Sequence, residues 1–167
     1  EAQVEEAMAA AVAAAPAMAR LPSYERGAIL AKASAILGRR RAEIGRALAG
    51  EAGKPIRDAL TEVDRAALTF HVASEEARRI GGEVIPLDLA PHGKGRVAIL
   101  RRFPLGAVAA ISPFNFPLNL SAHKLEPAIA AGNSIVLKPA TKTPLSALYL
   151  AAALEEAGLP KGALSVL

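Results

Sequence analysis

Cysteine is absent from all 167 residues. That excludes a disulfide framework, a thiolate metal site and a cysteine nucleophile within this chain, and it fits a cytoplasmic origin. Tryptophan is absent too, and aromatic residues make up only 4%, too few for the stacking platforms on which single-stranded nucleic acids lie. A strong excess of one charge is also missing. The net charge is +4, basic residues alternate with acidic ones in Glu25-Arg26, Glu62–Arg65 and Glu75–Arg79, and Arg39-Arg40-Arg41 is the one dense basic run. No nucleic-acid partner is expected. Long apolar runs are scarce as well: the alanine-rich stretch Met8–Ala19 is broken by Pro16 and preceded by Glu5 and Glu6, which suits neither a membrane span nor a secretory signal. No membrane partner is expected.

Hydrophobic residues account for 52% of the chain and charged residues for 22%, the composition of a folded globular protein. The apolar content is mostly Ala, Leu, Val and Ile, which suits helices packed closely through small side chains. The length is enough for one domain with a sizeable core. The chain opens at Glu1 without an initiator Met and stops at Leu167 inside an apolar run; both ends lead us to expect a piece of a longer protein.

The first half reads as successive helices. Val4, Met8 and Val12 recur at helical spacing, a stripe expected to face the core. Ser23 is placed to cap a helix reaching about Leu37, with Ile29, Leu30, Ala33 and Leu37 on its core face. Gly38 punctuates, and Ile44 and Leu48 mark a helix over Arg41–Glu51. Gly53-Lys54-Pro55 is a stop followed by a start. A long helix is then expected from Ile56 to Ile80, ended by Gly81-Gly82, with His71 on its surface.

At Glu83 the pattern changes. Val84–Leu89 and Arg96–Phe103 lean toward strand and are separated by the turn-rich Pro91-His92-Gly93-Lys94-Gly95, which predicts an antiparallel ribbon with His92 in its loop. After Pro104 come strand Ala107–Ile111, helix Ser121–Ala131, strand Ser134–Leu137, helix Thr143–Ala157 and strand Ala163–Leu167. Such alternation implies right-handed βαβ units and a parallel sheet. Ligands of these sheets sit beyond the carboxyl ends of the strands, where the loops after Ile111 and Leu137 lie.

No GxGxxG follows the first strand, so the usual dinucleotide fingerprint is missing. The loop reads Ile111-Ser112-Pro113-Phe114-Asn115-Phe116-Pro117 instead. Two prolines restrict the backbone around Asn115, a costly arrangement unless a side chain must point in one direction. A carboxamide is neutral yet a good N–H donor, as an oxyanion developing in a water-poor site requires. The plainer alternative is that Asn115 bonds its own loop backbone. Lys138 ends the second parallel strand, where doubly wound folds meet the adenosine ribose, normally with an acidic side chain. A lysine there can donate to the ribose hydroxyls and act as counter-charge to a 2′-phosphate. Thr141 can also cap the following helix.

The stretch from Phe103 to Pro144, FPLGAVAAISPFNFPLNLSAHKLEPAIAAGNSIVLKPATKTP, together with Glu51-Ala52-Gly53-Lys54-Pro55, resembles the first half of the cofactor-binding domain of the NAD(P)-dependent aldehyde dehydrogenases. The resemblance covers nearly the whole chain and is strongest from Phe103 onward. It implies an α/β fold of N-terminal helices, a protruding β-ribbon and a doubly wound, Rossmann-like parallel βαβαβ unit, in truncated form. Residues 1–83 would be the helical part of the cofactor-binding domain, 84–103 the ribbon of an oligomerisation domain, and 104–167 the first βαβαβ of the NAD(P)-binding domain, with the catalytic domain absent. The implied reaction is oxidation of a small-molecule aldehyde to a carboxylic acid or acyl product (EC 1.2.1.-) through a thiohemiacetal on a cysteine lying outside this chain.

In that frame Asn115 is the oxyanion donor. Ile111, Ser112, Pro113, Phe114, Lys138, Pro139, Ala140 and Thr141 bind NADP or NAD, and His123-Lys124, opening the helix, face the substrate passage. No metal is implied. NAD-preferring members often carry Glu where Thr141 stands, so NADP is expected to be accepted. The full-length enzyme would be a homodimer or homotetramer. The isolated chain is expected to be inactive. A non-catalytic nucleotide-binding fragment and an oligomerisation module remain the alternatives.

Overall fold

Proline and glycine divide the chain into its elements. The computed structural model describes residues 1–167. Four helices come first: α1 (Ala2–Arg20), α2 (Ser23–Arg39), α3 (Arg41–Ala52) and α4 (Ile56–Glu76). Pro22 and Pro55 stand immediately before α2 and α4, where an absent N–H leaves no helical bond unmade. Gly53 closes α3 in the left-handed region at φ 62°, a conformation that a β-carbon disfavours.

Three expected boundaries move. Ser23 is the first residue of α2 rather than its cap, and no side chain caps that helix. Gly38 lies inside α2, and Arg40 makes the turn into α3. α4 stops at Glu76, short of Gly81-Gly82. Gly82 instead lies against the Leu100 carbonyl, where an added Cβ would collide with backbone. That glycine serves the entry to the ribbon.

A larger correction concerns α1. Val4, Met8 and Val12 are 45%, 55% and 62% exposed, and the buried face is Ala7, Ala11, Ala14 and Met18. Alanine lets the helix lie close to the sheet. Ala7 and Ala11 pack on Val136, and Ser134 Oγ donates to the Ala11 carbonyl at 2.6 Å. Helical periodicity recognises both stripes, but only the smaller one permits that approach. No helix is long and apolar enough to cross a membrane.

The ribbon pairs β1 (Glu83–Pro86) antiparallel to β2 (Val97–Leu100), in the register Glu83↔Leu100. Both strands are shorter than expected. A 3-10 turn at Pro91–Gly93 takes up the connection, and Gly93 backs onto the Leu87 carbonyl. Val84, Val97 and Ile99 are exposed.

The parallel sheet has the order β3 (Ala107–Ile111), β4 (Ser134–Lys138), β5 (Leu164–Val166), connected through α5 (Pro117–Ala130) and α6 (Leu145–Ala157). α1 covers one face; α5 and α6 cover the other, and α2, α3 and α4 pack outside them. The core runs between these layers through Leu30, Leu37, Phe70, Leu118, Leu137 and Leu150. α5 begins at Pro117, not Ser121, so His123 and Lys124 sit in its second turn rather than at its start. α6 begins at Leu145, because Thr143 closes a turn with its N–H on the Ala140 carbonyl.

The contact between α2 and α4 generates a test. A Cβ on Gly27 would sit 2.7 Å from the Ser74 carbonyl oxygen, whereas one on Gly50 meets nothing within 4 Å. Gly27→Ala is expected to lower unfolding stability by about 1–3 kcal/mol through overpacking. Gly50→Ala, with better helix propensity, is expected to be neutral or stabilising. Denaturant titration of the two variants checks both signs.

Candidate functional site

The carboxyl ends of β3 and β4 meet side by side. Ile111 is registered with Lys138, and the Ser112 N–H donates to the Lys138 carbonyl at 3.2 Å. Ser112 is buried and shares a 2.8 Å hydrogen bond with the Ser121 hydroxyl of α5, which anchors the start of the loop. Alternation along the strands places Ile111 and Lys138 on the α1 side of the sheet, and both side chains are exposed. The Lys138 ammonium donates to the Pro139 carbonyl at 2.8 Å. The Phe114 ring lies 5.8 Å beneath the Lys142 ammonium, so the two loops meet through that contact. Ile111, Ser112, Pro113, Phe114, Lys138, Pro139, Ala140 and Thr141 thus share one edge of the sheet.

Asn115 faces elsewhere. Its side chain is exposed and makes no hydrogen bond within the chain; only its carbonyl is engaged, by Lys54 Nζ at 3.2 Å. The alternative of a side chain tied to its own loop is therefore not what the structure holds. Asn115 and Phe116 line an open cavity of about 390 Å³ with Lys54, Asp58 and Arg65. Lys54 pairs with Glu62 at 2.6 Å, while Arg65 pairs with no carboxylate. The cavity presents one free guanidinium, one free carboxylate and an unengaged carboxamide.

His123 and Lys124 do not line this cavity. His123 Nε2 lies 3.1 Å from Asn119 Nδ2, and its Nδ1 lies 3.3 Å from Glu126 Oε1. Thr141 is exposed and caps nothing. The α6 terminus takes its cap from Glu51, whose carboxylate accepts the N–H groups of Leu145 and Ser146 and the Ser146 hydroxyl.

Glu51, Lys54 and Glu62 are the residues that reading the sequence for chemistry passes over. Glu62 falls among mixed surface charges there, yet it is 2% exposed. One signal was available: it lies on the apolar face of α4 with Ala59, Val63 and Ala66, where a charge needs a partner.

A model of the aldehyde dehydrogenase family matches residues 1–167. The chain belongs to the aldehyde dehydrogenase family. It is 54% identical over 144 residues to the 3-sulfolactaldehyde dehydrogenase of Priestia aryabhattai, a match spanning 86% of this chain and 30% of that protein. Aldehyde dehydrogenase 21 from Physcomitrella patens, solved in complex with the reaction product succinate, superposes with a TM-score of 0.95 at 54% identity, over 98% of this chain and 34% of that one. The NADP-dependent glyceraldehyde-3-phosphate dehydrogenase of Bacillus halodurans, complexed with NADP, gives 0.94 at 37% identity, over 99% and 35%. The chain spans about a third of the length of the relatives it matches.

This aldehyde dehydrogenase chain carries one strongly shifted acid, on α5 where it packs against α4. Glu126 is 5% exposed; burial pushes its carboxyl up to about 7 from 4.5, against a weaker opposing hydrogen bond from Thr69. The folded state holds this proton more tightly than the unfolded chain does. The stability it contributes is therefore complete below about pH 4.5 and is lost as pH rises through about 7. Glu126→Gln is expected to remove that decline, on the order of 2–3 kcal/mol. Unfolding midpoints of both proteins from about pH 4 to 8 measure it, and parallel curves would count against it.

Proposed function

We propose that this chain is the N-terminal part of an NAD(P)-dependent aldehyde dehydrogenase acting on an aldehyde that carries an anionic group. The observation that carries the reading is the Asn115 carboxamide, unengaged within the chain and lining a cavity beside Arg65 and Lys54. As a nucleophile adds to an aldehyde, negative charge develops on its oxygen, and an N–H donor held at that position stabilises the transition state more than the ground state. Asn115 is that donor here. The nucleophile is a cysteine outside these residues.

Arg65, paired with no carboxylate, suits the remote anionic group of the substrate. The compounds named for the relatives, sulfolactaldehyde, succinate and glyceraldehyde-3-phosphate, carry a sulfonate, carboxylates and a phosphate, which supports this class. His123 and Lys124 are kept as residues of the substrate passage on the strength of the family resemblance.

The dinucleotide fits the edge formed by the two loops. Ile111 offers an exposed apolar surface there, Lys138 a cation with no carboxylate partner, and no acidic side chain occupies the turn through Thr141. When bound, the nicotinamide supplies hydride acceptance. Lys138 would hold the ribose hydroxyls or a 2′-phosphate, flanked by Ser112, Pro113, Phe114, Pro139, Ala140 and Thr141. The division at 1–83, 84–103 and 104–167 belongs to the same reading. The exposed Val84, Val97 and Ile99 suit a ribbon that is covered by another subunit in a homodimer or homotetramer.

Asn115→Ala in the full-length enzyme is expected to lower kcat by about 10²–10³, the usual loss for one oxyanion donor, with cofactor affinity little changed. Single-turnover kinetics with an anionic aldehyde measures it. Weaker cofactor binding with intact chemistry would make Asn115 a structural loop residue.

Cofactor choice is tested at Thr141. A glutamate there restores a grip on the ribose diol and repels a 2′-phosphate, a contact worth up to about 4 kcal/mol before screening. Thr141→Glu is expected to move the NADP/NAD ratio of kcat/KM toward NAD by roughly tenfold or more. An unchanged ratio would place the ribose edge elsewhere.

A further inference from the structure

The loop carrying Asn115 is held from outside by two charges. Glu62 Oε1 accepts the N–H groups of both Leu118 and Asn119 at 3.0 Å. These are among the first N–H groups of α5, which no helical carbonyl can reach and whose dipole favours an anion. Glu62 Oε2 accepts from Lys54 Nζ at 2.6 Å, and the same ammonium donates to the Asn115 carbonyl at 3.2 Å and lies 4.9 Å over the Phe116 ring. Asn115, Phe116, Leu118 and Asn119 are therefore all tied to two side chains of the helical half. The pair is well shielded: Lys54 is 15% exposed and Glu62 2%.

Capping α5 would need only an acceptor. The Lys54 ammonium compensates the buried charge of that acceptor, but its second bond, to the Asn115 carbonyl, is not needed for the cap. It restrains the backbone of the one loop residue whose carboxamide is left unengaged. We infer that Lys54 and Glu62 are positioning residues, which set the direction of the Asn115 carboxamide by clamping its carbonyl and the helix that follows. This rests on the reading of Asn115 as oxyanion donor. A donor displaced by about an ångström forfeits much of its effect, and such displacements cost up to about 10²-fold in rate.

The test uses the full-length enzyme and a double-mutant cycle. Lys54→Met keeps the aliphatic stem and removes the tie. It is expected to lower kcat roughly 10–100-fold with the aldehyde KM little changed, and to cost little more when combined with Asn115→Ala. Lys54→Arg, which retains a donor, is expected to recover part of the loss. Glu62→Ala is expected to speed amide hydrogen exchange at Leu118 and Asn119, a readout independent of activity. If Asn115→Ala lowers kcat and Lys54→Met does not, or if the two losses simply multiply, the positioning role is overturned and the oxyanion reading stands. A Lys54→Met effect confined to the aldehyde KM would make Lys54 a substrate contact and overturn it too. If Asn115→Ala itself leaves kcat intact, the oxyanion reading falls and this inference with it.

Discussion

Two helices of the sheet half begin without caps of their own, and that constraint organises the structure. α5 starts after Phe116 at Pro117, and α6 starts after Pro144. Neither flanking side chain can accept a backbone N–H, yet each helix terminus exposes several. The acceptors come from the helical half, Glu62 of α4 for α5 and Glu51 of α3 for α6. Both carboxylates arrive at the edge where the parallel strands end. α3 and α4 are thus joined to the sheet half at the same edge that carries the candidate site.

This arrangement has an energetic logic. A carboxylate at a helix N-terminus gains from several charge-assisted bonds and from the dipole, whereas the same carboxylate buried without partners would be strongly unfavourable. Glu62 is nearly inaccessible, so its burial requires that its partners be in place. Once they are, the loop Ser112–Phe116 is bounded on one side by the Ser112–Ser121 hydroxyl pair and on the other by Lys54. The prolines at positions 113 and 117 narrow what remains. The short stretch between these anchors is where an unengaged carboxamide can be presented without the loop collapsing onto it.

Much of this was legible beforehand. β3 was expected at Ala107–Ile111 and is found there, β4 and α6 lie within one or two residues of expectation, and the ribbon pairs as the turn-rich 91–95 stretch implied. These are places where local signals agree: β-branched runs, glycines after helices, a proline-bearing turn. Expectation failed where a local signal had two readings. Val4, Met8 and Val12 form a proper helical stripe, but the closest approach to Val136 belongs to the alanines beside it. Ser23 and Thr141 are good capping residues by type and cap nothing. Prolines and a remote glutamate were available at those termini instead.

The sequence by itself determined the order of elements, the parallel sheet, and which loops lie at its carboxyl edge, because backbone preference and hydrophobic period act over a few residues. It also determined that Asn115 sits between two prolines and that Lys138 ends a strand. Only the tertiary structure decided which charged residues are buried and what they hold. Lys54 and Asn115 are 61 residues apart and Glu62 and Leu118 are 56 apart, and no local rule connects them. Their pairing depends on α4 docking against α5. An isolated charge on a helix face looks like a solvated one until the opposing layer removes the water.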